Sequence, residues 1–431
     1  MNKYITYLKS KVMENNLYLN KKNFFLKSLT IIGILFLIVS CEKQDLEDRT
    51  VPSVSDEISG TDALKCHSAR KLIDYELIGY FSQEQIIAAV GSSFASLISY
   101  GVNVYKITYN TVYKRKKIVV SGAVSIPDKE IDQNTLVVMY NHGTRITEAD
   151  LLPSSGMDLM PMVSAAMGRI CFASDYVGFG ESNEYFHPYL INASSDIAIA
   201  DMALAGSEFL IKTDIHPKTG IYMFGFSQGG LATMSAQRFI ENNPYYKRRI
   251  DLKAVATGTG PYDLNTSAFI PTISAENYPA PAYIVFTFLA YNNYYGLNTD
   301  MSMIFKNSYN ELFLDLVAQN KTFAEINAQL PANIPDLMQE EFRNRFIAGQ
   351  TMYNWLMQGN NSIYGWVPET DLRIYHSPTD EIVPYTNAET AYNTFIDAGA
   401  TNVELITLPN LTHTTTAFMS FIDLMTWFTT I

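Results

Sequence analysis

The stretch Ile221-Tyr222-Met223-Phe224-Gly225-Phe226-Ser227-Gln228-Gly229-Gly230 runs from apolar, aromatic residues straight into Gly-x-Ser-x-Gly, and helical periodicity follows from Gly229 to Glu241. Strand, sharp turn and helix in that order are the context this motif requires. A nucleophile in a strained turn needs glycine on both sides, because side chains there would collide with the adjoining strand and helix. The turn holds the Ser227 hydroxyl in the open, and it aims the free N–H groups of the helix N-terminus at developing negative charge. An incidental Gly-Ser turn has no reason to be flanked this way, and the motif occurs nowhere else in the chain.

Outward from that segment, strand-like and helix-like stretches alternate. An amphipathic stretch, Ser82 to Leu97, precedes two β-branched and aromatic runs, Val102 to Tyr113 and Ile118 to Ile126. Lys114-Arg115-Lys116-Lys117 joins them and reads as a solvated hairpin turn. Short, continuously apolar runs follow at Leu136 to Tyr140, Ile170 to Ala173, Ile221 to Gly225 and Ala254 to Thr257, the pattern of strands covered by helices on both faces. Met157 to Met167 and Ala193 to Ile211 read as helices between them.

From about Asp263 to Trp366 the alternation stops. This segment is rich in Tyr, Phe, Asn and Met, has helical stretches such as Asn310 to Ala318 and Leu337 to Phe346, and is far too long for a plain loop. The alternation resumes with a strand at Leu372 to Tyr375, a helix at Tyr385 to Ala398, a strand at Val403 to Leu408 and a helix at Phe418 to Phe428. The expectation is an α/β fold: a doubly wound, mostly parallel sheet of eight strands formed by residues 73–262 and 367–431, interrupted by a mainly helical cap at 263–366.

A serine hydroxyl is a poor nucleophile until a base takes its proton, and the base needs a third group to hold its tautomer. Asp380 lies in the loop after the strand Leu372 to Tyr375, in His376-Ser377-Pro378-Thr379-Asp380-Glu381-Ile382-Val383-Pro384. Glu381 beside it is the alternative acid, whereas Asp371 precedes the strand, at its wrong end. His413, in Pro409-Asn410-Leu411-Thr412-His413-Thr414, is the only one of six histidines after Asp380. His376 abuts the acid's own loop and reads as packing or as a solvent-exposed residue; His67 and His216 read as linker or loop surface.

Composition narrows the chemistry further. The chain has 431 residues, 47% of them hydrophobic, and a formal net charge of −12, which argues against a nucleic-acid partner because phosphate binding depends on clustered Lys and Arg. No group of His, Cys and carboxylates has zinc-like spacing and no phosphate-cradling loop is present, so neither metal nor cofactor is expected.

Together these motifs resemble the α/β-hydrolase superfamily from about Ile73 onward. The order nucleophile, acid, histidine is the order of that fold. The loop Tyr140-Asn141-His142-Gly143-Thr144-Arg145 carries its His-Gly signature, so the resemblance implies an oxyanion hole from the N–H of Gln228 and that of Thr144 or Gly143, with His142 bracing the loop. Asp175-Tyr176-Val177-Gly178-Phe179-Gly180-Glu181-Ser182 matches the superfamily's Asp-x-x-Gly-x-Gly-x-Ser run, in which Asp175 is expected to satisfy loop N–H groups. The Asn-His-Gly-Thr loop, the Gly-x-Ser-Gln-Gly-Gly elbow and the large insertion before the acid are similar to secretory lipases and capped esterases. The implied function is hydrolysis of small-molecule or lipid esters through Ser227, Asp380 and His413, without a cofactor. A peptidase of the prolyl type uses the same triad, but Glu340 and Glu341 are the only adjacent acidic pair in the cap. A non-catalytic surface binding protein is the third class, and the complete triad argues against it.

Towards the N-terminus, Lys21, Lys22 and Lys27 flank an apolar run from Phe24 to Val39 that ends in Ile38-Val39-Ser40-Cys41. The pattern resembles a lipoprotein signal peptide at 1–40, with Cys41 as the lipidated residue, and the run is shorter than the ~20 residues that span a bilayer comfortably. Polar, acidic residues after Cys41 read as a flexible tether within 41–72. The expected location is the bacterial envelope, at the outer membrane or the cell surface, held by the lipid on Cys41. Of the remaining cysteines, Cys171 reads as a small core residue rather than as a disulfide partner of Cys66.

Overall fold

The computed structural model of the chain describes residues 70–151, 159–218, 220–363 and 365–431. The signal peptide, Cys41, the tether, Cys66 and His67 lie outside the described residues. Cys171 is fully buried, as a core residue should be.

Nine strands form one mixed sheet. They are β1 (Leu72–Phe81), β2 (Val102–Tyr113), β3 (Lys116–Pro127), β4 (Val137–Asn141), β5 (Ile170–Ser174), β6 (Ile221–Phe226), β7 (Leu252–Gly258), β8 (Leu372–His376) and β9 (Val403–Thr407), in the spatial order β1-β2-β3-β5-β4-β6-β7-β8-β9. The first three pair antiparallel, β3 meets β5 antiparallel, and the rest are parallel. The expected count of eight is therefore one short: β1 is an additional edge strand. Ile73, Leu77, Ile78 and Tyr80 of β1 are all exposed, and its register against β2 shifts twice, so it lacks the alternation that marks a half-buried strand. The hairpin between β2 and β3 turns on Lys114 and Arg115, both at positive φ, the geometry of a two-residue primed turn.

Helices cover both faces. The main ones are α1 (Gln83–Val90), α2 (Leu159–Ala166), α3 (Asn192–Lys212), α4 (Gln228–Asn242), α5 (Pro281–Tyr295), α6 (Tyr309–Ala318), α7 (Glu340–Ile347), α8 (Thr386–Asp397) and α9 (His413–Trp427). Alternate residues of each central strand feed opposite cores. Val137 and Met139 of β4 and Ile221 and Met223 of β6 pack with α3, α4 and the helical insertion. Val138, Tyr140, Tyr222 and Phe224 pack with α2 and α9 on the other face. Continuous apolar runs are the sequence signature of strands buried this way.

Between β7 and β8 the described residues form helices, turns and isolated bridges. The longest helix there, α5, was not legible as one. Its PAYIVFTFLAYNNYY sequence is apolar nearly all round and buried from Pro281 to Tyr291 except at Tyr283, so no amphipathic stripe betrays it.

Asp196 in α3 is buried, and burial pushes its carboxyl up to about 7, with Arg238 opposing only in part. The folded chain thus holds this proton more tightly than the unfolded chain, where a carboxyl titrates near ~4. The linked stability is complete below that pH and is lost as pH rises through about 7. Asp196→Asn is expected to match the parent in melting temperature at pH 4 and to exceed it by a few degrees at pH 8. Thermal scans at the two pH values check this, and an equal offset at both would sink it.

Candidate active site

The order of strands reverses about β4, with β5 on one side and β6 on the other, so the loops leaving β4 and β6 open a crevice at the carboxyl edge of the sheet. Ser227 sits there, directly after β6, at φ 58° and ψ −124°. That conformation costs a non-glycine residue roughly 1–3 kcal/mol and persists only where its surroundings enforce it. They do so here: Ser227 N–H donates to Gly258 O at 2.9 Å, and Ser227 O accepts from Gly230 N at 2.9 Å as α4 begins. The flanking glycines are sterically required. A methyl group on Gly225 would strike the backbone of Gly229, and one on Gly229 would strike Asn141 O and lie 2.7 Å from His142 O.

The loop after β4 lies against this turn, since a methyl group built on Gly143 would be 3.8 Å from Ser227 Cβ. Thr144 shares a 2.8 Å hydrogen bond between its hydroxyl and that of Tyr189. His142 braces the loop: it is buried, stacks on Tyr176 at 4.0 Å and contacts Gly143 O through Nδ1 at 2.7 Å. Burial, then the Arg145 charge, hold its imidazole well below its ordinary value, so the ring is neutral.

Gln228, the first residue of α4, is buried and anchored by a histidine that the sequence reading passed over. His187 Nδ1–H donates to Val177 O at 2.7 Å, which leaves Nε2 to accept from Gln228 Nε2 at 2.8 Å. Burial pushes His187 down to about 4, so that lone pair stays available at neutral pH. Only the tertiary fold joins these two residues; no spacing in the sequence signals it.

Asp380 follows β8, and its side chain has no solvent exposure. Its Oδ1 accepts from the N–H groups of Ile382 and Val383, both at 2.9 Å. His413 Nδ1 lies 3.0 Å from Oδ1 and 2.9 Å from Oδ2. Burial alone would raise this carboxyl, but hydrogen bonds from His376 and His413 outweigh it and leave it well below the usual carboxylate range. Asp380 therefore stays ionised throughout the working pH of a folded enzyme. Glu381, the alternative acid, is turned elsewhere: its Oε2 accepts the His413 backbone N–H at 3.0 Å. His413 itself opens α9, which begins five residues before the expected Phe418 because Thr412 caps the helix by accepting from Thr415 N–H.

One expectation narrows and one needs correcting. Of the two readings of His376, packing and solvent exposure, full burial excludes exposure, and Nε2 lies 3.2 Å from Asp380 Oδ2. Asp175 does not satisfy the N–H groups of its loop. Serine hydroxyls do so: Gly178 N–H donates to Ser182 Oγ, Tyr176 N–H to Ser174 Oγ and Glu181 N–H to Ser121 Oγ, while Asp175 accepts from Ser121 Oγ at 2.6 Å. Hydroxyls can accept and donate at once, which a carboxylate cannot. His216 is a surface residue as expected, bonded to Asp214.

Ser227 and Gln228 open onto a cavity of about 440 Å³, counted with its part open to solvent. The insertion contributes Phe269, Tyr278, Tyr283 and Ile284 to its wall, and the Asp380 loop contributes Ile382 and Val383. Ser227 Oγ and His413 make no hydrogen bond among the described residues; such contacts are often loose without substrate and tighten in the complex. Among the described residues no group of His, Cys and carboxylates could hold a metal ion.

The fold has relatives of known structure. The esterase LipA of Xanthomonas oryzae, described as degrading rice cell walls, is 23% identical, with a TM-score of 0.73 over 84% of this chain and 97% of its own. A Legionella pneumophila protein is 23% identical, with a TM-score of 0.74 over 83% of this chain and 97% of its own. Candida antarctica lipase A in its closed state is 16% identical, with a TM-score of 0.58 over 82% of this chain and 80% of its own. No curated protein matches by sequence. The family model for secretory lipases matches residues 155–430, which is most of the chain and includes the elbow and both partners at the sheet edge. An α/β-hydrolase with lipase and esterase neighbours, this chain belongs to the secretory lipase family.

Proposed function

We propose that the protein is a serine carboxylic ester hydrolase in which Ser227 attacks, His413 moves the proton and Asp380 orients the histidine. The observation that carries this reading is the contact of His413 Nδ1 with both oxygens of a buried carboxylate, itself pinned by two backbone N–H groups. A histidine that donates from Nδ1 presents the lone pair of Nε2, which is the base the reaction needs.

Nε2 takes the proton of Ser227 Oγ as Oγ bonds to the ester carbonyl carbon. The carbonyl oxygen becomes an oxyanion, held by the N–H of Gln228 and that of Gly143 or Thr144. Collapse breaks the bond to the alcohol, which leaves with the proton from Nε2. Water then attacks the acyl-enzyme, gives its proton to Nε2 and releases the acid, and the proton returns to Ser227. His142 and His187, neutral and turned into the loops, keep the two sources of oxyanion N–H in place.

Residues 263–366 act as the cap over this site, and its aromatic side chains line the pocket for the acyl group. Tyr189, Phe269 and Tyr278 are buried around the cavity, whose free space comes to only about 40 Å³ once the part open to solvent is left out, and so little room favours short acyl chains. Carriage as a lipoprotein, through cleavage before Cys41 and a lipid on that residue, is part of the same proposal and places the enzyme in the envelope. No described helix is long and apolar enough to cross a membrane.

The test is hydrolysis of p-nitrophenyl esters from acetate to palmitate by protein starting after Cys41, beside a panel of proline anilides. Acetate and butyrate are expected to turn over at least about ten-fold faster than palmitate in kcat/KM, the discrimination that about 1.4 kcal/mol of lost fit provides. Anilide cleavage without ester turnover would make the protein a peptidase, and silence on both would leave a binding protein.

A further inference from the structure

The acid carries two histidines. His413 approaches Asp380 from the open side of the site; His376, fully buried at the end of β8, approaches from within. Among the described residues two acceptors lie near His376 Nε2: Val383 O, which takes its hydrogen bond at 3.0 Å, and Asp380 Oδ2 at 3.2 Å. Both are acceptors, and a carbonyl oxygen can never donate, so the hydrogen of His376 is on Nε2. Its Nδ1 is buried with no hydrogen-bond partner among the described residues, which a bare lone pair tolerates better than a buried N–H would. The ring edge is set against Tyr385, 5.7 Å away at 88°.

We infer that His376 is a positioning residue of the reaction: its Nε2–H, hydrogen-bonded to Val383 O and shared with Asp380 Oδ2 at 3.2 Å, holds the acid's loop and its carboxylate aligned on His413 Nδ1. The inference rests on Asp380 being the catalytic acid, as proposed above. Oδ1 is already fixed by the N–H groups of Ile382 and Val383, whereas among the described residues Oδ2 has only the two histidines beside it. Because the side chain is closed to solvent, no water can replace a lost donor. Without His376 the carboxylate turns its full charge on His413. The imidazolium is then stabilised in the free enzyme, so the acid limb of kcat/KM moves to higher pH, and proton return to the leaving alcohol slows. The other groups facing Asp380 are Tyr262 and Tyr278, neutral across this range, while Glu381 bonds the His413 backbone.

The geometry makes a specific demand on substitutions. A glutamine amide nitrogen reproduces the position of Nε2; an asparagine is too short, and a leucine has no donor. His376→Leu and His376→Asn are expected to lose about ten-fold or more in kcat, the value of a hydrogen bond to a charged group, with KM within about two-fold. His376→Gln is expected to restore kcat to within about three-fold and to return the acid limb to its original position.

Steady-state kinetics from pH 5 to 9 on p-nitrophenyl butyrate, with a melting temperature for every variant and Asp380→Asn measured alongside, read these outcomes. Should leucine prevent folding, the contrast between Asn and Gln decides. Three variants with unchanged kcat and pH limb overturn the inference, and so do three that lose activity equally without rescue by Gln. If Asp380→Asn is itself fully active, the triad reading fails first and takes this inference with it; an inactive Asp380→Asn beside unaffected His376 variants removes this inference alone.

Discussion

Ser227→Ala is expected to lower kcat for p-nitrophenyl butyrate by about 10⁴-fold or more, the usual consequence of deleting a serine nucleophile. Of the neighbouring hydroxyls, that of Thr144 is engaged with Tyr189 and that of Thr259 accepts the Ser227 backbone N–H. The elbow adds a second, independent expectation. At φ 58° and ψ −124° an alanine is as strained as the serine, but glycine is not, so Ser227→Gly should be equally inactive and yet melt higher than Ser227→Ala. Two dead variants that differ in stability in that direction tie the loss to the missing hydroxyl rather than to a damaged fold. Residual turnover above a hundredth of the parent rate would show that the elbow serine is not the nucleophile.

The largest expected effect on stability lies far from the chemistry. Lys71 Nζ and Asp201 Oδ1 form an ion pair of 2.7 Å, with side chains 3% and 0% exposed, and Tyr246 donates its hydroxyl to the same oxygen. Lys71→Met leaves Asp201 buried without its counter-charge, a loss of about 3–5 kcal/mol. That corresponds to a fall of roughly 10 °C in melting temperature for a domain of this size. Burial raises the Asp201 carboxyl and the Lys71 charge restrains it. With the lysine gone, the acid protonates more readily, so the deficit is expected to shrink from pH 8 to pH 5. The double variant Lys71→Met, Asp201→Asn should recover part of the loss. A single variant that melts within 2 °C, a margin chosen as about a fifth of the expected effect, would show that water reaches the pair.

The frame of the candidate site was legible because each part leaves a local mark. The elbow announces itself through glycines that no side chain can replace, and the central strands through unbroken apolar runs. Asp380 stands in the loop after β8 and His413 opens the helix after β9, where chain order alone narrows the choice. The parts that stayed hidden depend on contacts between distant residues. His187 reaches Gln228 across the crevice, and whether His376 is exposed or bonded to the acid is decided by the fold of its own loop. β1 escaped because an exposed edge strand has no buried face to enforce a period of two. α5 escaped for the opposite reason, being buried nearly all round.

The long helical insertion separates the nucleophile from its partners along the chain as well as covering them in space. Ser227 follows the sixth strand, whereas Asp380 and His413 come only after the insertion, with β8 and β9. Domains fold as units rather than strand by strand. On the proposed mechanism, a nascent chain that has not yet received its last two strands carries the nucleophile without the acid and the base. Synthesis order then acts as a safety catch: the hydrolase stays inert until its last strand and helix have been made.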